Sequence, residues 1–268
     1  MVYEAIDDTL IHYSYNKCNG NYNCVVMIHD IFASKESWFY LQQHFTKSNI
    51  TNISIDIPGF GASPTLTTKY DYSYRSLAVI ISLLLTKLAI GPCIVIGHGT
   101  GCIIAASLST ISANIKGIVM LSPNFDTPPS YLKVAPSCFV SSYVSRICKQ
   151  YYQYNRLETL HEHQIIVKPF KHHFQNSYRR DVVERMIYAV ESSYIDIIEM
   201  IFCPLFTIAP SKEKHAIHSN VLTTLADAGS TFKFVDHVGN FMQHEAPELI
   251  FTYIYEFVKQ LSKSDMSI

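Results

Sequence analysis

One stretch of ten residues limits the folds open to this chain more than any other. Residues 93–102 read Cys-Ile-Val-Ile-Gly-His-Gly-Thr-Gly-Cys, so a short apolar run meets three glycines at alternate positions. The apolar run predicts a buried strand, the glycines predict a tight turn, and the apolar residues beyond them predict a helix. A strand that passes directly into a helix is typical of a parallel sheet flanked by helices. The stretch therefore indicates an α/β fold.

Strands and helices alternate along most of the chain, as such a fold requires. Hydrophobic periodicity predicts strands at residues 9–15, 24–29, 53–56, 93–96, 115–121, 204–208 and 231–235. It predicts helices at residues 37–46, 74–90, 100–109, 215–228 and 247–261. From Thr127 to about Ser193, helical periodicity continues without convincing strands. We therefore expect an α/β core over 1–126, a helical cap over 127–198 and the rest of the core over 199–268.

Composition excludes several classes of protein. With 21 basic and 22 acidic residues, the chain lacks the positive charge that nucleic acid attracts, so no nucleic-acid partner is expected. The longest apolar run, residues 77–90, is too short to cross a membrane, and we expect no transmembrane segment. Seven scattered cysteines and an N-terminus without signal-peptide character favour reduced thiols and a cytoplasmic location.

Neither a metal nor a cofactor is expected. The closely spaced histidines lack a third ligand at local spacing, so they predict no metal site. They are His161 and His163, His172 and His173, and His215 and His218.

Four short motifs follow one another in a characteristic order. Residues 28–38 contain Ile-His-Asp-Ile followed by two serines and a tryptophan, and residues 56–63 read Asp-Ile-Pro-Gly-Phe-Gly-Ala-Ser. The glycine-rich turn at 97–101 comes next, and residues 238–248 read Val-Gly-Asn-Phe-Met-Gln-His-Glu-Ala-Pro-Glu. In these motifs the chain resembles the α/β-hydrolase superfamily, particularly its compact branch of esterases, haloperoxidases and epoxide hydrolases. The resemblance implies a mostly parallel central sheet flanked by helices, with a helical cap.

The same resemblance implies that the catalytic triad is degenerate. In the family's G-x-S-x-G turn the serine is the nucleophile, and here that position is Gly99. The register of the last motif puts Asn240 where the family has its histidine base, and an amide cannot accept and return a proton at neutral pH. The family's acid corresponds to Glu213, with Asp126 as the alternative position.

The oxyanion hole is built from backbone, and the resemblance assigns it to the N–H groups of Ile31 and Thr100. Asp30 replaces a glycine beside it, and a carboxylate there would oppose a developing oxyanion. We expect Asp30, His98 and Phe241 to line the pocket.

Substitute nucleophiles next to the turn are not expected. Thr100 and Cys102 begin a helix, so we expect their side chains to point away from the site, which leaves a capping threonine and a buried thiol. His98 or His244 would have to serve as the base for either nucleophile. The reading of His98 that we favour is a packed histidine beneath the turn.

Two classes of function remain open. The first is a catalytically inactive pseudoenzyme that binds a small apolar ligand or a protein partner. The alternative is an enzyme with serine-independent chemistry, such as a lyase or a cofactor-free enzyme using Asp30, His98, Glu213 or a trapped water, or a weak, rewired ester hydrolase. The many aromatic residues of the predicted cap could line an apolar pocket or form its core, and the sequence does not decide between these.

Overall fold

An eight-stranded sheet forms the centre of the molecule. The computed structural model describes residues 2–31, 33–66, 71–154, 180–189, 193–211 and 219–264. The strands are β1 (Val2–Ile6), β2 (Thr9–Asn16), β3 (Cys24–Ile28), β4 (Asn52–Ile55), β5 (Cys93–His98), β6 (Ile115–Leu121), β7 (Leu205–Pro210) and β8 (Thr231–Val235). Their order across the sheet is β1-β2-β4-β3-β5-β6-β7-β8.

The sheet is mostly parallel, as predicted. The pairs β1–β2 and β2–β4 are antiparallel, and every pair from β4 to β8 is parallel. Strand β1 was not predicted from the sequence, and that omission was wrong. It is a short edge strand with largely exposed residues, so it lacks the apolar pattern that identifies a buried strand.

The described helices flank the sheet on both faces. They are α1 (Phe39–Lys47), α2 (Tyr74–Lys87), α3 (Gly101–Ile111), α4 (Ser137–Tyr154), α5 (Arg180–Tyr188), α6 (Ser219–Asp227), α7 (Met242–Glu245) and α8 (Pro247–Ser264). Helix α2 begins as its sequence predicts, because the Ser73 side chain accepts a hydrogen bond from the Ser76 N–H (3.2 Å). A 3₁₀ turn, Lys35–Trp38, precedes α1 where a single helix was predicted.

Two hydrophobic cores lie on opposite faces of the sheet. One contains α2 and α3 together with apolar residues of α4 and α5, and the other contains the 3₁₀ turn, α1 and α8. All residues of β3 and β5 are buried, since these central strands are covered on both faces. The carboxyl ends of these two strands carry the motifs that the resemblance singled out.

The described residues between β6 and β7 form helices and loops, without a strand. The helices are α4, α5 and two 3₁₀ segments, Ser130–Lys133 and Tyr194–Met200, and α4 packs against α5. Much of the aromatic group predicted for this segment lies outside the described residues. Of the side chains that are described, Tyr131 and Phe139 are exposed, so these two do not line an enclosed pocket.

No helix among the described residues is both long and apolar enough to cross a membrane. Six of the seven cysteines are described as free thiols, including Cys24 and Cys93, which pair in register on neighbouring strands.

Candidate functional site

The turn between β5 and α3 is held in a conformation suited to glycine. Gly99 is buried and has a φ of +56°, in the left-handed region that residues with a side chain adopt only at a cost. Its N–H donates to the Leu121 carbonyl (3.0 Å), and its carbonyl accepts from the Asn124 N–H (3.1 Å). The backbone of the turn is therefore tied to the end of β6.

The two flanking glycines allow α3 to begin directly on the sheet. A Cβ on Gly97 would lie 2.6 Å from the Cys102 Cα, and one on Gly101 would lie 2.6 Å from the His29 carbonyl oxygen. Neither distance is possible for a real side chain, so the pattern of alternate glycines has a packing cause.

Asp30 fills the predicted oxyanion hole. Its Oδ1 accepts hydrogen bonds from the Ile31 N–H (2.8 Å), the Thr100 N–H (2.9 Å) and the Thr100 hydroxyl (2.5 Å). The side chain is buried, with 6% of its surface exposed. The two N–H groups that the resemblance assigns to an oxyanion thus bind the protein's own carboxylate.

The same carboxylate lies over Gly99. A Cβ on Gly99 would be 2.7 Å from Asp30 Oδ1 and closer still to its Oδ2 and Cγ. No side chain at position 99 fits while Asp30 keeps this position. Asp30 can therefore hold this position only because residue 99 is glycine, and residue 99 must be glycine while Asp30 holds it.

The Thr100 side chain does not lie where the sequence led us to expect it. We expected its side chain to point away and cap α3, but Thr100 makes no capping hydrogen bond and its hydroxyl instead binds Asp30. The expectation was wrong because the Asp30 carboxylate competes for the hydroxyl. Cys102 is a buried thiol whose pKa is raised by burial and by Asp30, and its Sγ contacts the Leu121 carbonyl (3.8 Å).

Tyr74 is a residue of this site that sequence reasoning missed. It begins α2, and its hydroxyl lies against the Thr100 hydroxyl. Burial, Tyr194 and Asp30 raise its pKa well above the ordinary value for tyrosine. No motif connects residue 74 to the turn at 97–101, so only the packing of α2 against α3 reveals the contact.

His98 is buried and neutral. Its Nε2 lies 2.8 Å from the Asn240 carbonyl oxygen, which can only accept, so Nε2 carries the hydrogen. Burial lowers its pKa, although Asp30 and the Asn240 carbonyl act in the opposite direction. The Phe241 ring lies 5.1 Å from the imidazole. The structure thus brings together Asp30, His98 and Phe241, the three predicted pocket residues, but all three are buried.

Asn240 lies in the loop between β8 and α7, and its backbone carbonyl is what holds it to His98. Its side chain makes no hydrogen bond with any described residue. The loop is fixed further by Glu245, whose Oε2 accepts from the Gly239 N–H (2.8 Å).

Of the two candidate triad acids, Glu213 and Asp126, only Asp126 can be placed. Glu213 lies outside the described residues. Asp126 is exposed, and its N–H donates to Asn124 Oδ1 (2.9 Å). An exposed carboxylate lacks the buried setting in which a triad acid orients its histidine.

Two further histidines near the turn are neutral: His29 is buried, and the ring nitrogens of His244 are buried. His29 Nε2 accepts from the Ile57 N–H (3.0 Å), so its Nδ1–H donates to the Asp30 carbonyl (2.6 Å). Burial lowers the pKa of His29, and burial together with His98 lowers the pKa of His244 to about 3. The pair His98 and His244 is therefore uncharged at neutral pH.

The motif at 56–63 is structural. Asp56 accepts hydrogen bonds from His12 Nδ1 (2.9 Å), the Lys35 N–H (2.7 Å) and the Ala62 N–H (3.0 Å). Burial alone would raise the pKa of Asp56, but the hydrogen bond from His12 and the charge of Lys35 lower it. These contacts fix the loop after β4 against β2 and the 3₁₀ turn.

No group of three or more metal-binding side chains is placed to hold an ion within the described residues. The histidines considered for a metal site in the sequence lie outside them. A surface cleft of about 410 Å³ lies near the amino end of β3, away from Gly99, and is lined by Asn19, Gly20, Asn21, Tyr22, Asn49, Lys259 and Ser262.

Comparisons with known proteins agree with this geometry. A family profile for the alpha/beta hydrolase fold matches residues 23–138. A search of curated proteins finds no sequence match.

Solved structures resemble the chain over nearly its whole length. One is Est816, described as degrading N-acyl homoserine lactones, with 21% identity, a TM-score of 0.75, and coverage of 96% of this chain and 100% of that one. An esterase from Thermogutta terrifontis has 14% identity and a TM-score of 0.79 over 95% and 94% of the two chains. The enol-lactonase from Burkholderia xenovorans LB400 has 13% identity and a TM-score of 0.79 over 96% and 100%. The sheet order, the profile match and these structures show that the chain has the α/β-hydrolase fold.

Proposed function

We propose that this chain is a non-hydrolytic member of the superfamily, which binds a partner and does not cleave an ester. The observation that carries the proposal is the position of Asp30, whose Oδ1 accepts both the Ile31 and the Thr100 N–H. An ester hydrolase needs these donors open to the developing oxyanion. Here they are bonded within the protein, and the carboxylate would also repel the negative charge that develops on a reacting acyl group.

The residues at the nucleophile and base positions support the same conclusion. Gly99 offers no hydroxyl, and Asn240 offers an amide that is too weakly basic to accept a proton as a general base at neutral pH. In a measured serine protease, loss of the nucleophile or of the base alone lowers kcat by about a million-fold. Two such losses, together with an occupied oxyanion hole, leave no route to useful acyl transfer.

Serine-independent catalysis receives less support from the same contacts. His98 Nε2–H is bonded to the Asn240 carbonyl, and Asp30 Oδ1 already accepts three hydrogen bonds. Both groups are held by the protein and buried, whereas a general acid or base must reach the substrate.

Surface chemistry favours a protein partner over a small apolar ligand. Val134 is 87% exposed and Phe139 is 65% exposed, and both lie between β6 and β7 in the segment we propose as the cap, residues 127–198. Phe202, just before β7, is 96% exposed. Large exposed apolar side chains are characteristic of interaction surfaces when they cluster. We propose a cytoplasmic setting, which the free thiols support.

The test is ester turnover by the purified wild-type protein, measured with short-chain nitrophenyl esters. We expect the rate to equal the background rate measured without protein, because Gly99 offers no nucleophile. Turnover by the wild type at about 1 s⁻¹ or faster, the ordinary range of enzymes, would overturn the proposal. Native mass spectrometry of the same sample distinguishes the ligand classes, since a retained small apolar molecule adds its mass to the folded protein.

A further inference from the structure

The loop between β2 and β3 contains the only asparagine of the chain that is followed by glycine. The pair is Asn19 and Gly20, and every other asparagine precedes a residue with a side chain. The main-chain nitrogen that follows an asparagine can attack the Cγ atom of the asparagine's own side-chain amide. A side chain on the following residue hinders that attack, and glycine has none. This loop therefore contains the pair of residues at which the reaction meets least steric resistance.

The structure leaves both reacting groups of this pair without a competing hydrogen bond. Asn19 is exposed and lies outside any helix or strand. Its own N–H donates to Asn49 Oδ1 (3.3 Å). Among the described residues, none hydrogen-bonds the Asn19 side-chain amide or the Gly20 N–H. The fold within the described part of the chain therefore does not hold the Gly20 nitrogen and the Asn19 amide apart through hydrogen bonds of their own.

Packing explains why position 20 is glycine. A Cβ on Gly20 would lie 2.0 Å from the Asn49 carbonyl oxygen, far closer than such atoms approach in real structures. A larger residue at position 20, which would protect Asn19 from attack, is therefore excluded while the loop keeps this position.

We propose that Asn19 is a site of spontaneous modification, at which the Gly20 nitrogen displaces ammonia from the Asn19 side chain. The Gly20 nitrogen loses its proton and forms a bond to Asn19 Cγ, the bond from Cγ to Nδ2 breaks, and Nδ2 leaves as ammonia. The product is a five-membered succinimide ring, which one water molecule opens at either carbonyl. Opening at one carbonyl gives aspartate, and opening at the other gives isoaspartate, in which the main chain runs through the former side chain.

The modification changes the charge of the surface cleft near the amino end of β3. Asn19 is one of the seven residues that line this cleft, and Lys259 is the only one of them that carries a charge. Either product places a carboxylate in the same cleft, so the lining residues change from positive to neutral overall. Anions that the Lys259 ammonium attracts would then be attracted less. This inference is independent of whether the protein cleaves esters.

Peptide mapping by mass spectrometry tests the proposal on the wild-type protein, incubated in its folded state at mildly alkaline pH. We expect residue 19 to gain the mass difference between an amide and a carboxyl group, with both aspartate and isoaspartate present. The rate should rise with pH, because the Gly20 nitrogen must lose its proton to attack. Asn21 is the internal control, since it is exposed in the same loop but precedes Tyr22, whose side chain hinders the corresponding attack.

Two results of this experiment would overturn the proposal. An Asn19 amide that survives as long as the Asn21 amide would show that the glycine has no effect in the folded protein. Aspartate at residue 19 without isoaspartate would show direct hydrolysis of the amide, because a succinimide opens at both carbonyls.

A pair of substitutions locates the change by charge. The side-chain amide in Asn19→Gln reaches the Gly20 nitrogen only through a six-membered ring, which forms much more slowly. We expect anion-exchange chromatography to separate an acidic species that accumulates in the wild type and in the matched control Asn21→Gln, but not in Asn19→Gln. Both positions are exposed, so neither substitution removes packing from the core. Accumulation of the acidic species at the same rate in Asn19→Gln would contradict the proposal.

Discussion

The Asp30 carboxylate lies in the space that a side chain at position 99 would need. This one contact connects the missing nucleophile with the two backbone N–H groups that Asp30 binds. The carboxylate accepts the N–H groups of Ile31 and Thr100 and lies where a side chain at position 99 would begin. The sequence showed that each residue departs from the family pattern. It could not show that the departures touch, because positions 30 and 99 meet only through the pairing of β3 with β5.

We predict that Gly99→Ala destabilises the protein through Asp30 as well as through its backbone. A positive φ costs a non-glycine residue about 1 kcal/mol, and the overlap with the carboxylate adds about 1–3 kcal/mol. In an Asp30→Gly background the second contribution disappears, so the two substitutions should be coupled by about 2 kcal/mol in urea denaturation.

Gly229→Ala is the control for that measurement. Gly229 also has a positive φ, of +78°, but a Cβ there would meet nothing within 4 Å. Its substitution should cost only about 1 kcal/mol and should be additive with Asp30→Gly. Equal costs at positions 99 and 229 would show that Asp30 does not occupy the space above Gly99.

We predict that Asp30→Gly creates a binding site for small carboxylates. Removal of the carboxylate leaves the Thr100 N–H without its acceptor and the Ile31 N–H with only the Thr100 hydroxyl oxygen (3.2 Å), at a cost of about 1–3 kcal/mol. Formate can restore those bonds, so it should raise the Tm of the variant but not that of the wild type. Chloride at equal ionic strength is the control, and an equal response to both anions would argue against a specific donor pair.

At the scale of elements, the sequence predicted the fold well where local signals are strong. Helix α2 begins at Tyr74, directly after its cap Ser73, and the β5–α3 turn lies at the alternate glycines. Strand β1 was missed because an exposed edge strand has no apolar pattern, and the role of Tyr74 was missed because it depends on how α2 packs against α3.

We predict that Ser73→Ala destabilises the protein by about 1 kcal/mol, because it removes the side-chain acceptor for the Ser76 N–H at the start of α2. Chemical denaturation measures the change. Ser82→Ala, within the same helix, is the control and should change stability by less than about 0.5 kcal/mol. Equal losses at both positions would show that capping is not the cause.

At the scale of the whole molecule, burial of neutral histidines ties stability to pH. The pKa values of His29, His98 and His244 are lowered by burial from an ordinary value of 6.5, to about 3 for His244. Below pH 6.5 the unfolded chain therefore binds more protons than the folded chain, and the free energy of unfolding falls as the pH decreases.

We predict a loss of up to about 1.4 kcal/mol per pH unit for each of these histidines between pH 6.5 and its folded pKa. Urea denaturation from neutral to acid pH measures the slope. His244→Phe should flatten it, because it removes the group whose pKa is lowered to about 3. Stability that rises on acidification would contradict the assignment of neutral, buried histidines.

The central claim is that Asp30 closes the oxyanion hole, and labelling by a serine-directed fluorophosphonate tests it most directly. Two variants are compared: Gly99→Ser with Asn240→His, and the same pair with Asp30→Gly added. We predict labelling at position 99 only when Asp30 is also replaced, and none when that triple variant carries Gly99→Ala instead of Gly99→Ser. Equal labelling of the double and triple variants would contradict the account.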